Sequence, residues 1–122
     1  MHILLLHGKI MIQIAIVDDE SRQIKIIQQS IQNFFRQKNR ADDYRIDTFH
    51  SGESLLSCSR AYDLIFLDIQ MNGMDGIETA KKIRTWDRKV CVIYVSNYTE
   101  KMAASFTVHP FSFCLLYTSD AA

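Results

Sequence analysis

The sequence predicts an α/β domain built on a doubly wound parallel sheet, and three observations carry that expectation. Short β-branched and apolar runs alternate with stretches whose apolar residues recur at three- and four-residue steps. The run Leu64-Ile65-Phe66-Leu67 is apolar without interruption, as a strand covered on both faces requires. With 122 residues, 48% of them apolar and a single proline, the chain holds one compact domain rather than two.

The elements follow in order. Residues 12–17, Ile-Gln-Ile-Ala-Ile-Val, form the first strand, which stops at Asp18-Asp19-Glu20, acids suited to a helix start. From Ser21 to about Lys38, the residues Ile24, Ile27, Ile31, Phe34 and Phe35 line one face of a helix that should pack on the sheet. Residues 44–49 alternate with a period near two as a second strand, and Ser51-Gly52-Glu53-Ser54 opens a short helix carrying Leu55 and Leu56. Residues 64–67 are the third strand, ended by Asp68. The stretch from Gln70 to Gly76 is rich in turn formers, and Ile77, Ala80 and Ile83 mark a helix ending near Trp86. Residues 90–95 are a fourth strand ended by Ser96-Asn97. A weaker helix from Thr99 to about Phe106 and a fifth strand over residues 111–115 complete the series. Strands alternating with helices imply parallel pairing, right-handed crossovers and helices on both faces.

Composition excludes several classes of function. Lys+Arg 14 against Asp+Glu 14 leaves no net charge, so no global field attracts nucleic acid or an anionic membrane. The apolar runs are far shorter than the roughly 18 residues of a membrane span. The N-terminus has neither the basic flank nor the cleavage site of a secretory signal, which makes the cytoplasm the expected location. Cys58, Cys91 and Cys114 form no CxxC pair and are expected to be buried reduced thiols. His2, His7, His50 and His109 are scattered, and none is assigned to a metal.

The candidate chemistry lies at the strand ends. In such a sheet the polar groups after the strands converge on a crevice where the strand order reverses. Strand one delivers Asp18 and Asp19, strand three Asp68, and strand four Ser96. If strands one and three are neighbours, as in the flavodoxin-like order 2-1-3-4-5, three carboxylates crowd together. Like charges that close require a cation or retained protons. Oxygen ligands in an open, hydrated site favour Mg²⁺ over zinc or copper. One such acid alone would be read as a helix cap, but three after apolar strands are not.

The phrases Ile14-Ala15-Ile16-Val17-Asp18-Asp19-Glu20, Leu64-Ile65-Phe66-Leu67-Asp68-Ile69-Gln70-Met71, Gly73-Met74-Asp75-Gly76 and Val92-Ile93-Tyr94-Val95-Ser96 resemble the receiver domain of two-component response regulators, over about residues 11–113. Ser96-Asn97-Tyr98-Thr99-Glu100 with Phe106-Thr107-Val108-His109-Pro110-Phe111 is most similar to receivers of the LytTR transcription-factor group. The resemblance implies that Asp68 is the phosphoacceptor. It implies that Asp18, Asp19 and Asp68 hold Mg²⁺ with the Gln70 backbone carbonyl, and that the Ser96 hydroxyl senses the phosphoryl group. Phe113 takes the place of the switch aromatic, although a core phenylalanine fits that position equally well. Asn72 stands where many receivers have proline, a departure expected to alter loop stiffness more than chemistry.

Two ends depart from the pattern. Receivers carry a lysine at the end of strand five, and here Leu116 falls in its place. Residues 114–122, Cys-Leu-Leu-Tyr-Thr-Ser-Asp-Ala-Ala, resemble the in-frame translation of a sequencing adapter. They are expected to be a non-native tail that truncates the natural gene before the fifth helix. Residues 1–10 precede the Met11 at which such domains usually start; they are expected either to be an upstream extension or to lengthen the sheet through Ile3-Leu6.

The resulting expectation is a signalling switch rather than a metabolic enzyme. A sensor histidine kinase would phosphorylate Asp68, and the altered face would regulate a DNA-binding output domain absent from this chain, with a homodimer formed by the intact protein. A receiver that takes no phosphoryl group, an interaction module only, is the alternative that Leu116 favours. An Mg²⁺-dependent phosphatase with an aspartyl nucleophile would want a second acid at position 70, which is Gln. A nucleotide or flavin carrier would want a glycine-rich phosphate loop, and none is present.

Overall fold

The computed structural model describes residues 11–95. The expected helix from Thr99, the fifth strand, Ser96, Phe113, Leu116 and the segments 1–10 and 114–122 lie outside the described residues. Seven elements alternate: β1 (Ile12–Val17), α1 (Ser21–Gln37), β2 (Tyr44–Phe49), α2 (Gly52–Ser57), β3 (Leu64–Asp68), α3 (Gly76–Arg84) and β4 (Cys91–Val95). All strand pairs are parallel, in the order β2-β1-β3-β4, so the chain reverses direction across the sheet between β1 and β3. This is the predicted flavodoxin-like, doubly wound arrangement over the described strands.

The two-residue period of a strand divides β1 between two cores. Ile14 and Ile16 pack with Ile24, Ile31 and Phe35 of α1, while Ala15 and Val17 pack on the other face with Leu55, Ala80 and Ile83 of α2 and α3. All four β1 residues are buried, which is why the strand is apolar on both faces.

Two expectations are corrected, for Phe34 and for the cysteines. Phe34 was expected on the packed face of α1 but is 55% exposed. Successive residues on a helix are about 100° apart, so the neighbouring Phe34 and Phe35 cannot both face the sheet. Phe35 is buried and stacks on Tyr44 at a centroid distance of 4.5 Å. Ile77 is likewise exposed in the first turn of α3, whereas Ala80 and Ile83 are buried. Cys58 and Cys91 are only partly buried. Element ends differ from the expected bounds by a residue or two: α3 stops at Arg84, and Trp86 beyond it is exposed.

Candidate functional site

The geometry of the acidic site follows from register. Val17 of β1 is the partner of Leu67 of β3, so the next residues, Asp18 and Asp68, emerge side by side at the carboxyl edge of the sheet. Asp19 comes one residue later. Each of the three acids offers an oxygen, and these oxygens all lie within 4.8 Å of one another. A cleft of about 340 Å³ opens there, lined by Asp19, Glu20, Asp68, Gln70 and Asn72. A larger apolar cavity of about 510 Å³ lies at the opposite end of the strands, between α2 and α3, away from all charged candidates of the site.

Asp18 and Asp68 are almost inaccessible, at 1% and 3% exposure. Asp18 Oδ1 accepts from the Glu20 backbone N–H at 2.9 Å, which turns the chain into α1; Glu20 itself occupies the N-cap without a side-chain cap bond. Asp18 Oδ2 and Asp68 Oδ1 are buried, and among the described residues neither accepts a hydrogen bond and no Lys or Arg forms an ion pair with either carboxylate. Buried anionic oxygens without partners are costly. The consequence appears in their acidity. Burial first, and the charge of Asp18 second, push the Asp68 carboxyl up to about 7, although the Gln70 backbone amide pulls in the other direction. Asp18 is also raised, chiefly by burial.

The loop after β3 closes the site from one side. Gly76 N–H donates to the Ile69 carbonyl at 2.8 Å, bringing the start of α3 against the end of β3. A Cβ on Gly76 would lie 2.1 Å from the Asp68 carbonyl oxygen, so this approach requires glycine. The Asn72 N–H donates to Asp19 Oδ2 at 3.1 Å, and the Met74 N–H to Glu53 Oε2 at 3.2 Å. Asp75 caps α3 by accepting from the Glu78 N–H at 2.8 Å.

The structure brings Asp18, Asp19 and Asp68 together, and Gln70 lines the same cleft. Ser96 and Phe113 fall outside the described residues. Two members of the surroundings escaped sequence reasoning. In the sequence Glu53 marks only a helix start. Asn72 bears on more than loop stiffness: as a residue other than proline it keeps an N–H, and that N–H reaches an acid of the cluster. The donor set is oxygen alone, with buried atoms that have no partner among the described residues, and it fits a hard divalent cation.

A parallel sheet of this strand order, with carboxylates at its switch point, defines a class of open α/β domains with a strand-end polar site. Within that class the chain belongs to the response regulator receiver domain family, which it matches over residues 14–109. It is 31% identical over 112 residues to the sensory transduction protein LytT of Oceanobacillus iheyensis, covering 83% of this chain and 43% of that protein. It is 35% identical over 74 residues to the transcriptional regulatory protein ResD of Bacillus subtilis, covering 59% and 28% respectively. The chain therefore spans less than half the length of these relatives. Among solved structures, the response regulator TrrA of Thermotoga maritima in complex with Mg²⁺ and BeF superposes with a TM-score of 0.59 at 29% identity, over 80% of this chain and 81% of that one. A complex of histidine kinase ThkA with TrrA gives a TM-score of 0.58 at 32% identity, over 73% and 72%. Among the described residues no helix is long and apolar enough to cross a membrane.

Proposed function

We propose that this chain is a phosphoacceptor receiver in which Asp68 takes a phosphoryl group from a sensor histidine kinase. The observation that carries the proposal is the convergence of Asp18, Asp19 and Asp68, with buried oxygens that no group among the described residues satisfies. Asp18, Asp19, Asp68 and the Gln70 backbone carbonyl would hold Mg²⁺. Bound there, Mg²⁺ would neutralise charge on the incoming phosphoryl oxygens. The Asp68 carboxylate, oriented at the end of β3, would form a bond to phosphorus as the bond from phosphorus to the donor breaks. The kinase partner is supported by the solved complex of ThkA with TrrA, and the metal by TrrA with Mg²⁺ and BeF.

In this reading Ser96 senses the phosphoryl group through its hydroxyl, and Phe113 follows as the switch aromatic. The receiver unit comprises residues 11–113. It works in the cytoplasm as a switch rather than an enzyme, and as a homodimer when intact. The output would be DNA binding by a domain of the LytTR group, supported by the similarity to LytT. Leu116, at the place of the receiver lysine, favours one second reading: an interaction module that accepts no phosphoryl group.

Intact-mass analysis after incubation with acetyl phosphate and Mg²⁺ separates the two. A gain of one phosphoryl group, lost in Asp68→Asn and without Mg²⁺, is the expected result. No gain in a folded sample would leave the interaction module standing.

A further inference from the structure

Two backbone amides of the loop between β3 and α3 are taken by carboxylates from separate parts of the chain. Asn72 donates to Asp19, in the turn after β1, and Met74 donates to Glu53, in the first turn of α2. Gly73 lies between them in the left-handed region, with φ +77°, and a Cβ there would sit 3.0 Å from Glu53 Oε2. The loop is therefore pinned on both sides of its one left-handed residue.

The two pins differ in what else they do. Asp19 belongs to the acidic cluster, so a cation bound there would share its carboxylate with the Asn72 amide. Glu53 lies outside the cluster and is placed independently of the loop. Ser51 caps α2 by accepting from the Ser54 N–H at 3.0 Å, and Gly52 backs directly onto Thr79 of α3. A carboxylate in the first turn of a helix is itself favoured by the helix dipole. Glu53 can thus hold the loop whether or not Asp19 is engaged elsewhere.

We propose that Glu53 is a positioning residue for the acidic site, keeping the loop that carries Gln70 and Asn72 against the cluster through the Met74 amide. The proposal rests on the reading of the cluster as a metal site, and its test separates the two. The full chain, its Glu53→Ala and its Glu53→Gln variants would be titrated with Mg²⁺, and hydrogen exchange would be followed at the Met74 amide and at core amides of Val17 and Leu67. Glu53→Ala is expected to speed Met74 exchange and weaken Mg²⁺ binding by about three- to tenfold, the loss of one ordinary hydrogen bond. Core exchange should stay unchanged, and Glu53→Gln, which keeps an acceptor oxygen, should recover most of both effects. Wild-type Mg²⁺ affinity in Glu53→Ala overturns the proposal, as does unchanged Met74 exchange. If the wild-type chain itself binds no Mg²⁺, the metal reading fails; Met74 exchange in Glu53→Ala then still upholds or overturns the hold on the loop.

Discussion

Asp18 and Asp68 stand side by side because the residues before them, Val17 and Leu67, are register partners across the β1–β3 pair. Neither acid could be moved by one residue without sending its side chain to the other face of the sheet. Their proximity in a buried setting sets the electrostatics of the site, and pH dependence follows from it.

Asp68 in the folded chain holds its proton up to about 7, against 3.8 for an ordinary Asp. Between these values the folded state binds more protons than the unfolded state, so this group lowers stability as pH rises through that window. Below about 3.8 the penalty is absent, and above about 7 it is complete. In urea melts without divalent metal, Asp68→Asn should therefore gain stability over wild type at pH 8 and little at pH 4. Mg²⁺ requires the ionised carboxylates, so its apparent affinity should climb with pH up to about 7. Equal urea midpoints for wild type and Asp68→Asn at pH 8 would contradict this account.

Gly76→Ala tests the close approach of α3 to β3. Alanine is the better helix former, yet its Cβ would meet the Asp68 carbonyl oxygen at 2.1 Å and the Ile69 Cα at 2.9 Å, both backbone atoms with little room to give. The clash should win, costing about 1–3 kcal/mol in stability and weakening Mg²⁺ binding by displacing Asp68. A variant as stable as wild type would show that the approach is looser than it looks.

The adjacent phenylalanines of α1 give an internal comparison. Phe35→Ala removes a buried ring stacked on Tyr44 and should cost about 3–5 kcal/mol. Phe34, exposed and in contact with Phe35 and the Lys38 ammonium, should cost well under half as much. Chemical denaturation of both variants decides it, and equal losses would place Phe34 in a packed environment after all.

Tyr62→Phe separates stability from chemistry. The Tyr62 hydroxyl donates to Asp47 Oδ2 at 2.6 Å, and Arg45 and Arg60 approach the same carboxylate at 3.4 and 3.5 Å. Burial, followed by this bond, holds the phenolic proton on. Because the arginines remain to satisfy Asp47, the loss should be about 1 kcal/mol, with phosphoryl uptake at Asp68 unchanged. Mass analysis and a urea melt on one sample check both halves.

Much of the fold was legible because each strand is coded by a short-range period that its own residues display. β1 and β3 are apolar on both faces since helices cover both, and Asp18 and Asp68 interrupt those runs at the points where burial gives way to the cleft. Other features depended on distance in space. Whether Phe34 or Phe35 faces the sheet turns on the angle at which α1 docks, and the helical period admits both. Glu53 gives no signal of its role in sequence, because its partner, the Met74 amide, is 21 residues away and is a backbone group that any residue but proline would supply.

The alternation of strands and helices, the parallel sheet and the acids at the strand ends are all encoded locally, in short-range periodicity and in abrupt changes of polarity. The pairing of Val17 with Leu67, the common burial of Asp18 and Asp68 that follows from it, and the reach of Glu53 to the loop beyond β3 appear only in three dimensions. Those relationships depend on register and on the close contact of α2 with α3, which no short stretch of chain encodes.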